Sequence, residues 1–185
     1  MTTIFIAGSI SISRLHDKVR QRIANIAASD FDVVVGDADG ADTSIQNCLS
    51  EHGAKRVTVY CSGDRPRNNV AGWPVKHVHP KAVPGSRAFF TAKDLEMARA
   101  SDFGLMIWDS KSTGTLSNVI ELIRADRKSV VFVNKTKEFV TVSDLPGLQH
   151  LLSVMSDHAR AKADDRIGLS AKLEELAQKQ FLLAI

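Results

Sequence analysis

Three loops that combine glycine with hydroxyl or carboxylate side chains carry most of the chemical potential of this sequence. They are Gly8-Ser9, Gly36 to Asp42 and Ser110 to Thr115, and each follows an apolar run and precedes a helical pattern. A helix N-terminus presents free backbone N–H groups and a partial positive charge, so such a loop can hold an anion. Serine and threonine are also good helix caps, so each loop has an ordinary structural explanation as well.

The loop from Ser110 to Thr115 is the best candidate for a phosphate site. Gly114 allows a ligand to approach the backbone closely, and Lys111 adds a positive charge. Ser112 and Thr115 supply hydroxyl groups. The two common phosphate fingerprints, GxGxxG and GxxxxGK[ST], are both absent from the chain.

The loop from Gly36 to Asp42 carries three acids, Asp37, Asp39 and Asp42, at the start of a predicted helix. Acids suit the positive end of a helix dipole, but they would repel a phosphate. Aspartates that accept hydrogen bonds from ribose hydroxyls are familiar in dinucleotide sites. We therefore expect this loop to meet a ribose hydroxyl, a base edge or a cation.

The histidines and cysteines predict neither a metal site nor a disulfide. His77 and His79 alternate onto one face of a short predicted strand, without carboxylate or thiolate partners at a known spacing. Cys48 and Cys61 form no CxxC pair. We expect surface histidines, buried thiols, no metal and no cofactor.

The elements that must position these loops alternate between strand and helix along the chain. Predicted strands cover 3–7, 32–35, 56–60, 104–108 and 129–133, and predicted helices cover about 15–28, 41–52, 86–101 and 116–125. This alternation predicts a Rossmann-like α/β three-layer sandwich with a mostly parallel central sheet. Ligands of such sheets bind outside the carboxyl ends of the strands.

Two parts of the chain depart from the alternation. Residues 61–85, rich in proline and glycine, predict a long irregular excursion with a short strand at 76–79. Residues 1–140 are predicted to form the nucleotide-binding domain, and residues 141–185 a helical C-terminal extension. The extension carries an apolar stripe that includes Leu173, Leu176 and 181–183. It is expected to pack on the domain or on a second subunit, which predicts a homo-oligomer.

Composition bounds the class of protein. The chain has 185 residues, of which 44% are hydrophobic and 24% charged, as is common for globular proteins. No apolar run approaches the ~20 residues of a membrane span, and the N-terminus leads straight into a strand, so we expect a cytoplasmic protein without membrane contact. The net charge is only +3 and the basic residues are scattered. This pattern argues against a nucleic-acid partner and fits a small anionic ligand.

Taken together, several of these segments resemble the SLOG superfamily over about residues 3–135. That group includes the cytokinin-activating phosphoribohydrolases (LOG proteins), the DNA-processing protein DprA and the YpsA-like proteins. The resemblance is closest to the YspA-like branch, in which an acidic GDA-x-GAD turn and a KSxGT loop recur. The segments that carry it are Ile4 to Ser9, Val33 to Asp42, Lys93-Asp94 with Met97, Ser101-Asp102, and Asp109 to Thr115.

The resemblance to the phosphoribohydrolases is incomplete at their catalytic positions. Gly114-Thr115 match the end of the family's PGGxGTxxE loop, but Asn118 stands where its catalytic Glu would be. Lys93-Asp94 stand in place of an Arg-Lys pair. N-glycosidic cleavage needs a carboxylate near an oxocarbenium-like centre. Glu121 and Asp94, with the acids of the second loop, are the remaining candidates for a catalytic carboxylate.

The expected function is therefore binding of a nucleotide or nucleotide-derived small molecule at the carboxyl edge of the sheet, as a sensor or carrier. An N-glycosidic hydrolase or transferase acting on nucleoside monophosphates is the alternative, and the sequence leaves open whether the protein is an enzyme. Binding of single-stranded DNA, as in DprA, rests on fold analogy alone. The expected ligand-binding residues are Gly8, Ser9, Gly36, Asp37, Gly40, Asp42, Arg87, Lys93, Asp109, Ser112, Thr113, Gly114, Thr115 and Asn118.

Overall fold

The apolar runs of the sequence form the strands of one seven-stranded sheet. The structure is a computed structural model that describes residues 1–183, with side chains described to residue 182. The sheet order is β4-β3-β2-β1-β5-β6-β7, and every neighbouring pair is parallel except the antiparallel β6 and β7. The strands are β1 (Thr3–Gly8), β2 (Asp32–Gly36), β3 (Val57–Ser62), β4 (Val75–Val78), β5 (Phe103–Trp108), β6 (Lys128–Val133) and β7 (Glu138–Val142).

Helices cover both faces of this sheet. They are α1 (Asp17–Ala27), α2 (Ala41–Glu51), α3 (Arg87–Ala100), α4 (Thr113–Arg124), α5 (Leu145–Leu152), α6 (Asp157–Ile167) and α7 (Leu169–Leu183). Side chains alternate along β1, so Ile4 and Ile6 join a core with α1 and α2, whereas Phe5 and Ala7 join a second core with α3 to α7. The predicted Rossmann-like three-layer sandwich is confirmed.

One edge strand was expected and the other was not. The short strand predicted at 76–79, inside the irregular region 61–85, corresponds to β4, which pairs in parallel with β3 from Val59↔Val75 to Ser62↔Val78. Strand β7 was absent from the prediction, which had a helical tail following β6. It returns through a tight turn in which Lys137 adopts a φ of 60°, and no glycine marks this turn. β7 crosses the predicted domain boundary at residue 140, and the division into two parts stays a prediction.

The helix α4 begins three residues earlier than predicted, at Thr113 instead of Leu116. Ser112 is the N-cap, and its hydroxyl accepts from the backbone N–H of Thr115 at 3.4 Å. The segment Thr113-Gly114-Thr115 is therefore the first helical turn and not part of the preceding loop. The backbone N–H groups of a helix start consequently face the carboxyl edge of the sheet.

The C-terminal helices bury their apolar side chains in the same core as α3 and α4. Leu148 and Leu151 of α5, Ala163 of α6 and Leu176 of α7 are all buried there. Phe181 of the predicted apolar stripe is 71% exposed, and the side chain of Leu183 lies outside the described part of the chain. The predicted homo-oligomer stays a prediction. Within residues 1–183, no helix has the length and apolar character needed to cross a membrane.

Candidate functional site

The carboxyl ends of β1, β2 and β5 border an open cleft of about 320 Å³. The strand order reverses at β1, whose neighbours are β2 and β5, so the cleft lies where ligands of open parallel sheets bind. Nine of the predicted site residues line it: Gly8, Asp42, Arg87, Lys93, Asp94, Ser112, Gly114, Thr115 and Asn118. The other predicted residues lie beneath it, in its supporting loops or in an adjoining groove.

Ser9 ties the first loop to the start of α4. Its buried hydroxyl accepts from the backbone N–H of Asp109 at 3.1 Å and lies 3.2 Å from the hydroxyl oxygen of Thr115. Gly8 has no room for a side chain, because a Cβ there would lie 2.7 Å from the Cβ of Ala41 and 2.8 Å from the carbonyl oxygen of Ile107. The two residues thus hold three segments of the chain together at the floor of the cleft.

Asp109 organises the loop between β5 and α4. Its carboxylate accepts from the backbone N–H groups of Lys111 at 2.8 Å and Ser112 at 2.6 Å, and from the hydroxyl of Ser11 at 2.7 Å. Burial alone would raise the pKa of Asp109, but these hydrogen bonds outweigh it and lower the pKa below its ordinary value. Asp109 therefore supports the loop with its carboxylate oxygens already occupied.

Arg87, in the first turn of α3, connects that helix to α4. Its guanidinium donates to the hydroxyl of Thr113 at 2.7 Å. The residue is exposed, and within the described chain its side chain forms no ion pair with an acid. The positive charge of Arg87 is therefore available to an anion that enters the cleft.

Lys93 lies at the centre of a buried cluster of charges. Its side chain is 4% exposed, and its Nζ atom lies 2.7 Å from Asp94 and 3.9 Å from both Asp37 and Asp42. Burial lowers the pKa of Lys93, but the three carboxylates outweigh burial and raise it above its ordinary value. Lys93 is therefore a cation at neutral pH, and its charge is already balanced by these acids.

Asp42 is the least well compensated acid of this cluster. Burial raises its pKa to about 6, against the opposing charge of Lys93. Its carboxylate accepts from the backbone N–H of Ala38 at 3.3 Å. Gly36 beneath it leaves no space for a side chain, since a Cβ there would overlap the carboxylate of Asp42 and lie 2.7 Å from the Nζ of Lys93.

Asp37 forms an ion pair with Arg67, a residue that was not predicted to lie at the site. Arg67 donates to it through Nη2 at 2.8 Å, Nε at 3.2 Å and its backbone N–H at 2.9 Å. Burial alone would raise the pKa of Asp37, but the bonds from Arg67 outweigh it and lower the pKa. The guanidinium of Arg67 also lies over the ring of Phe90, 4.6 Å from its centroid. Much of the negative charge of the acidic loop is thus neutralised within the protein.

Gly40 allows the acidic loop to pass close to the first loop. Its φ is 73°, and a Cβ there would overlap the carbonyl of Ile10. Ile10 itself lines the cleft and is 67% exposed. The cleft is therefore lined by one exposed apolar side chain next to the acidic loop.

The two tentative catalytic carboxylates are both ion-paired. Asp94 is bound by Lys93, and Glu121 lies 2.8 Å from Arg124 and 3.5 Å from Lys172. Glu121 lines a groove beside the cleft and not the cleft itself, whereas Asn118 lines both. Within residues 1–183, no group of three histidine, cysteine or acidic side chains is arranged to hold a metal ion.

Six lining residues were not among the predicted site residues: Ala7, Ile10, Ala38, Arg67, Phe90 and Thr91. Arg67 is 30 positions from its partner Asp37 in the chain, and no sequence pattern links the two. Phe90 precedes Lys93 by one helical turn, which is a signal that was available. Ile10 follows the Gly8-Ser9 turn and carries no distinguishing pattern.

Comparison with known proteins finds similarity among solved structures. No family model matches the chain, and no curated protein matches it. Among solved structures, the chain is similar to DNA processing protein A from Helicobacter pylori, which was described for its single-stranded DNA binding mode. The TM-score is 0.55 at 17% sequence identity, over 82% of this chain and 72% of that one. A similarity at this identity shows a shared Rossmann-like fold.

The expected partner must be corrected at this point. We predicted a nucleotide-derived small molecule, with an N-glycosidic enzyme as the alternative, and argued against nucleic acid. The predicted function and the exclusion of a nucleic-acid partner are both wrong by this comparison, since the similar structure is that of a single-stranded DNA-binding protein. The argument from scattered charge also did not anticipate that the fold brings Arg67, Arg87 and Lys111 from three separate segments to the cleft and the loop beside it.

Proposed function

We propose that this protein binds single-stranded nucleic acid in the cleft at the carboxyl edge of its sheet, largely independently of sequence. The observation that carries the proposal is the position of Arg87. It is an exposed cation without an acidic partner in the described chain, between the start of α4 and the Arg67–Phe90 stack. Proteins that bind single strands combine such cations with surfaces on which bases stack.

The phosphate-binding part of the proposal rests on the first turn of α4. Gly114 presents backbone without a side chain, and the helix start offers N–H groups and a partial positive charge. Arg87 lies against this turn through its bond to Thr113, and Lys111 is exposed in the preceding loop. A phosphodiester group at this position would meet donors from two helices.

The base-binding part rests on Arg67 and Phe90, which also line the cleft. The planar guanidinium of Arg67 is fixed by Asp37 and packs over Phe90, and its side chain is 37% exposed. Guanidinium groups and aromatic rings both stack on bases, and exposed apolar side chains such as Ile10 add contact area. Phe90 and Ile10 have no side-chain hydrogen-bonding groups, and Arg67 is engaged by Asp37, which supports binding without sequence preference.

The similarity to a single-stranded DNA-binding protein supports the same proposal at the level of the fold. We also propose membership of the SLOG superfamily, on the segments around Gly8, Gly36 to Asp42 and Gly114-Thr115 that resemble it. A cytoplasmic location belongs to the same proposal.

Fluorescence anisotropy with a labelled oligothymidylate of about twelve nucleotides, within the range of single-strand site sizes, tests the function. We expect saturable binding that weakens with salt by about 0.7 in log K per log salt for each phosphate contact. Arg87→Ala should weaken binding about 3- to 10-fold. It should also reduce the salt slope by about 0.7, the value for one phosphate contact. Phe90→Leu should weaken binding with little change in the slope, because stacking releases no counterions.

Arg99→Ala is the matched control for Arg87→Ala, because Arg99 is exposed in the last turn of the same helix and pairs with Glu96. It should bind as the unchanged protein does. The proposal fails if no saturable signal appears up to about 10⁻⁴ M protein, the weak end of non-specific binding. It also fails if Arg87→Ala and Arg99→Ala have equal effects, or if a free mononucleotide competes as well as the oligomer.

A further inference from the structure

We infer that a bound single strand continues from the cleft into a second groove, which ends at Arg166 and Lys172 near the C-terminal helices. This inference rests on the proposed function and adds the direction and the extent of the bound strand. It assigns a binding role to α6 and α7, which lie far along the chain from the glycine-rich loops.

The groove adjoins the cleft. The groove has a volume of about 490 Å³ and runs between α3, α4 and the junction of α6 and α7. Five residues line both cavities: Arg87, Thr91, Asp94, Gly114 and Asn118. The two cavities therefore meet along one border of α3 and α4, and a strand whose phosphate lies at Gly114 would enter the groove by passing Asn118.

The length of the groove suits a few nucleotides. Its wall on α4 runs from Gly114 to Glu121, and a helix rises 1.5 Å per residue, which gives about 10 Å. At the ~3.4 Å per nucleotide of a stacked strand, this is about three nucleotides, and fewer for an extended strand. The cleft alone would hold a shorter oligomer.

The charges of the groove leave a cation at its far end. The acids of its wall are already paired, Asp94 with Lys93 and Glu121 with Arg124 and Lys172. Arg166, in the last turn of α6, is exposed and within residues 1–183 forms no ion pair. Arg87 at the junction and Arg166 at the end are therefore the groove cations that remain open to phosphate.

The groove also offers apolar surface between these two cations. Leu95 of α3 is 38% exposed, and Ile167 and Ala88 line the groove as well. Alternation of cations with apolar side chains is the pattern that a single strand needs, because its phosphates and bases contact the protein together.

Binding of an oligothymidylate length series tests this inference, with oligomers from about three to about twelve nucleotides. Affinity should rise with length beyond the shortest oligomer that binds. Arg166→Ala should weaken binding of the longest oligomer about 3- to 10-fold and reduce its salt slope by about 0.7, because one phosphate contact is lost. The same variant should bind the shortest oligomer normally.

Arg160→Ala is the control, because Arg160 is exposed on the same helix, lies outside the groove lining and removes the same charge. Equal effects of Arg166→Ala and Arg160→Ala on the longest oligomer would overturn the inference while leaving the proposed function intact. Equal loss for short and long oligomers in Arg166→Ala would also overturn it. If no oligomer binds the unchanged protein, the proposed function and the inference both fail.

Discussion

At the scale of single residues, the interior of the cleft depends on how one buried lysine and three acids share charge. Lys93 is surrounded by Asp37, Asp42 and Asp94, and Arg67 adds a second cation next to Asp37. Breaking a buried ion pair leaves an uncompensated charge, which costs about 3–5 kcal/mol. The cluster is therefore a structural support as well as part of the wall of the cleft.

The protonation of Asp42 should make stability depend on pH. Its pKa of about 6 in the folded protein is above the ordinary value of 3.8. Between these pH values the folded protein binds more protons than the unfolded chain, so the contribution of Asp42 to stability falls as pH rises, by on the order of 2 kcal/mol. Asp42→Asn should remove this contribution. Urea unfolding from about pH 4 to about pH 7 measures it.

The variant should therefore gain stability relative to the unchanged protein as pH rises through this window, and the difference should be constant above it. Asp39→Asn is the control, an exposed acid of the same loop. It should follow the pH profile of the unchanged protein. A constant difference between Asp42→Asn and the unchanged protein at every pH would contradict the assignment.

Residue types predicted which side chains line the cleft better than they predicted the hydrogen bonds and ion pairs that those side chains form. Lys93, Asp42 and Gly114 were all named from the sequence, and all line the cleft. The pairing of Asp37 with Arg67 could not be predicted, because it joins the end of β2 to a segment whose path is set by tertiary packing. For the same reason, Asp37 was expected to meet a ligand and instead binds the guanidinium of Arg67.

At the scale of elements, the parallel strands and the helices between them were predictable because each is a long apolar or amphipathic run. Strand β7 was not, since its five residues follow a turn without glycine and are held by pairing with β6 and by Phe139 packing on Phe132. The early start of α4 depends on the cap by Ser112. Threonine and glycine have modest helix propensity, so sequence alone placed this turn in the loop.

The turn that begins α2 should tolerate no side chain at Gly40. Its φ of 73° favours glycine, and a Cβ would overlap the backbone of Ile10. Gly40→Ala should lower the free energy of unfolding by about 3 kcal/mol, from backbone strain and steric overlap together. Chemical denaturation of the variant measures this loss.

Gly72→Ala separates the two causes. Gly72 has a φ of 66°, but a Cβ there would meet no atom within 4 Å. It should lose only about 1 kcal/mol, from backbone strain alone. Equal losses in the two variants would show that the close approach of Ile10 contributes nothing.

At the scale of the whole molecule, the C-terminal helices and the sheet share one core. Leu151 of α5 and Val131 of β6 belong to the same buried cluster as Phe5 of β1. Elements that share a continuous core are expected to unfold together. The described chain should therefore behave as one cooperative unit, although its last quarter was predicted as an appended extension.

Leu151→Ala tests this cooperativity. Leu151 is 1% exposed, and its truncation should lower the free energy of unfolding by about 2–5 kcal/mol. Circular dichroism and tryptophan fluorescence, which arises from Trp73 and from Trp108 in β5, should report the same transition in urea. Leu182→Ala is the control, since Leu182 is 70% exposed, and it should change stability by less than about 0.5 kcal/mol. Two separate transitions would show that the tail unfolds on its own.

The edge strand β4 has a consequence for self-association. An edge strand exposes unpaired backbone groups on which another chain can build intermolecular sheet and aggregate. β4 has only four residues, it is bounded by Pro74 and lies two residues before Pro80, and its Lys76 is exposed. Short length, proline and lysine are the features by which natural sheets prevent strand addition. The proline-rich segment around this strand therefore protects the β4 edge of the sheet against fibril-like assembly.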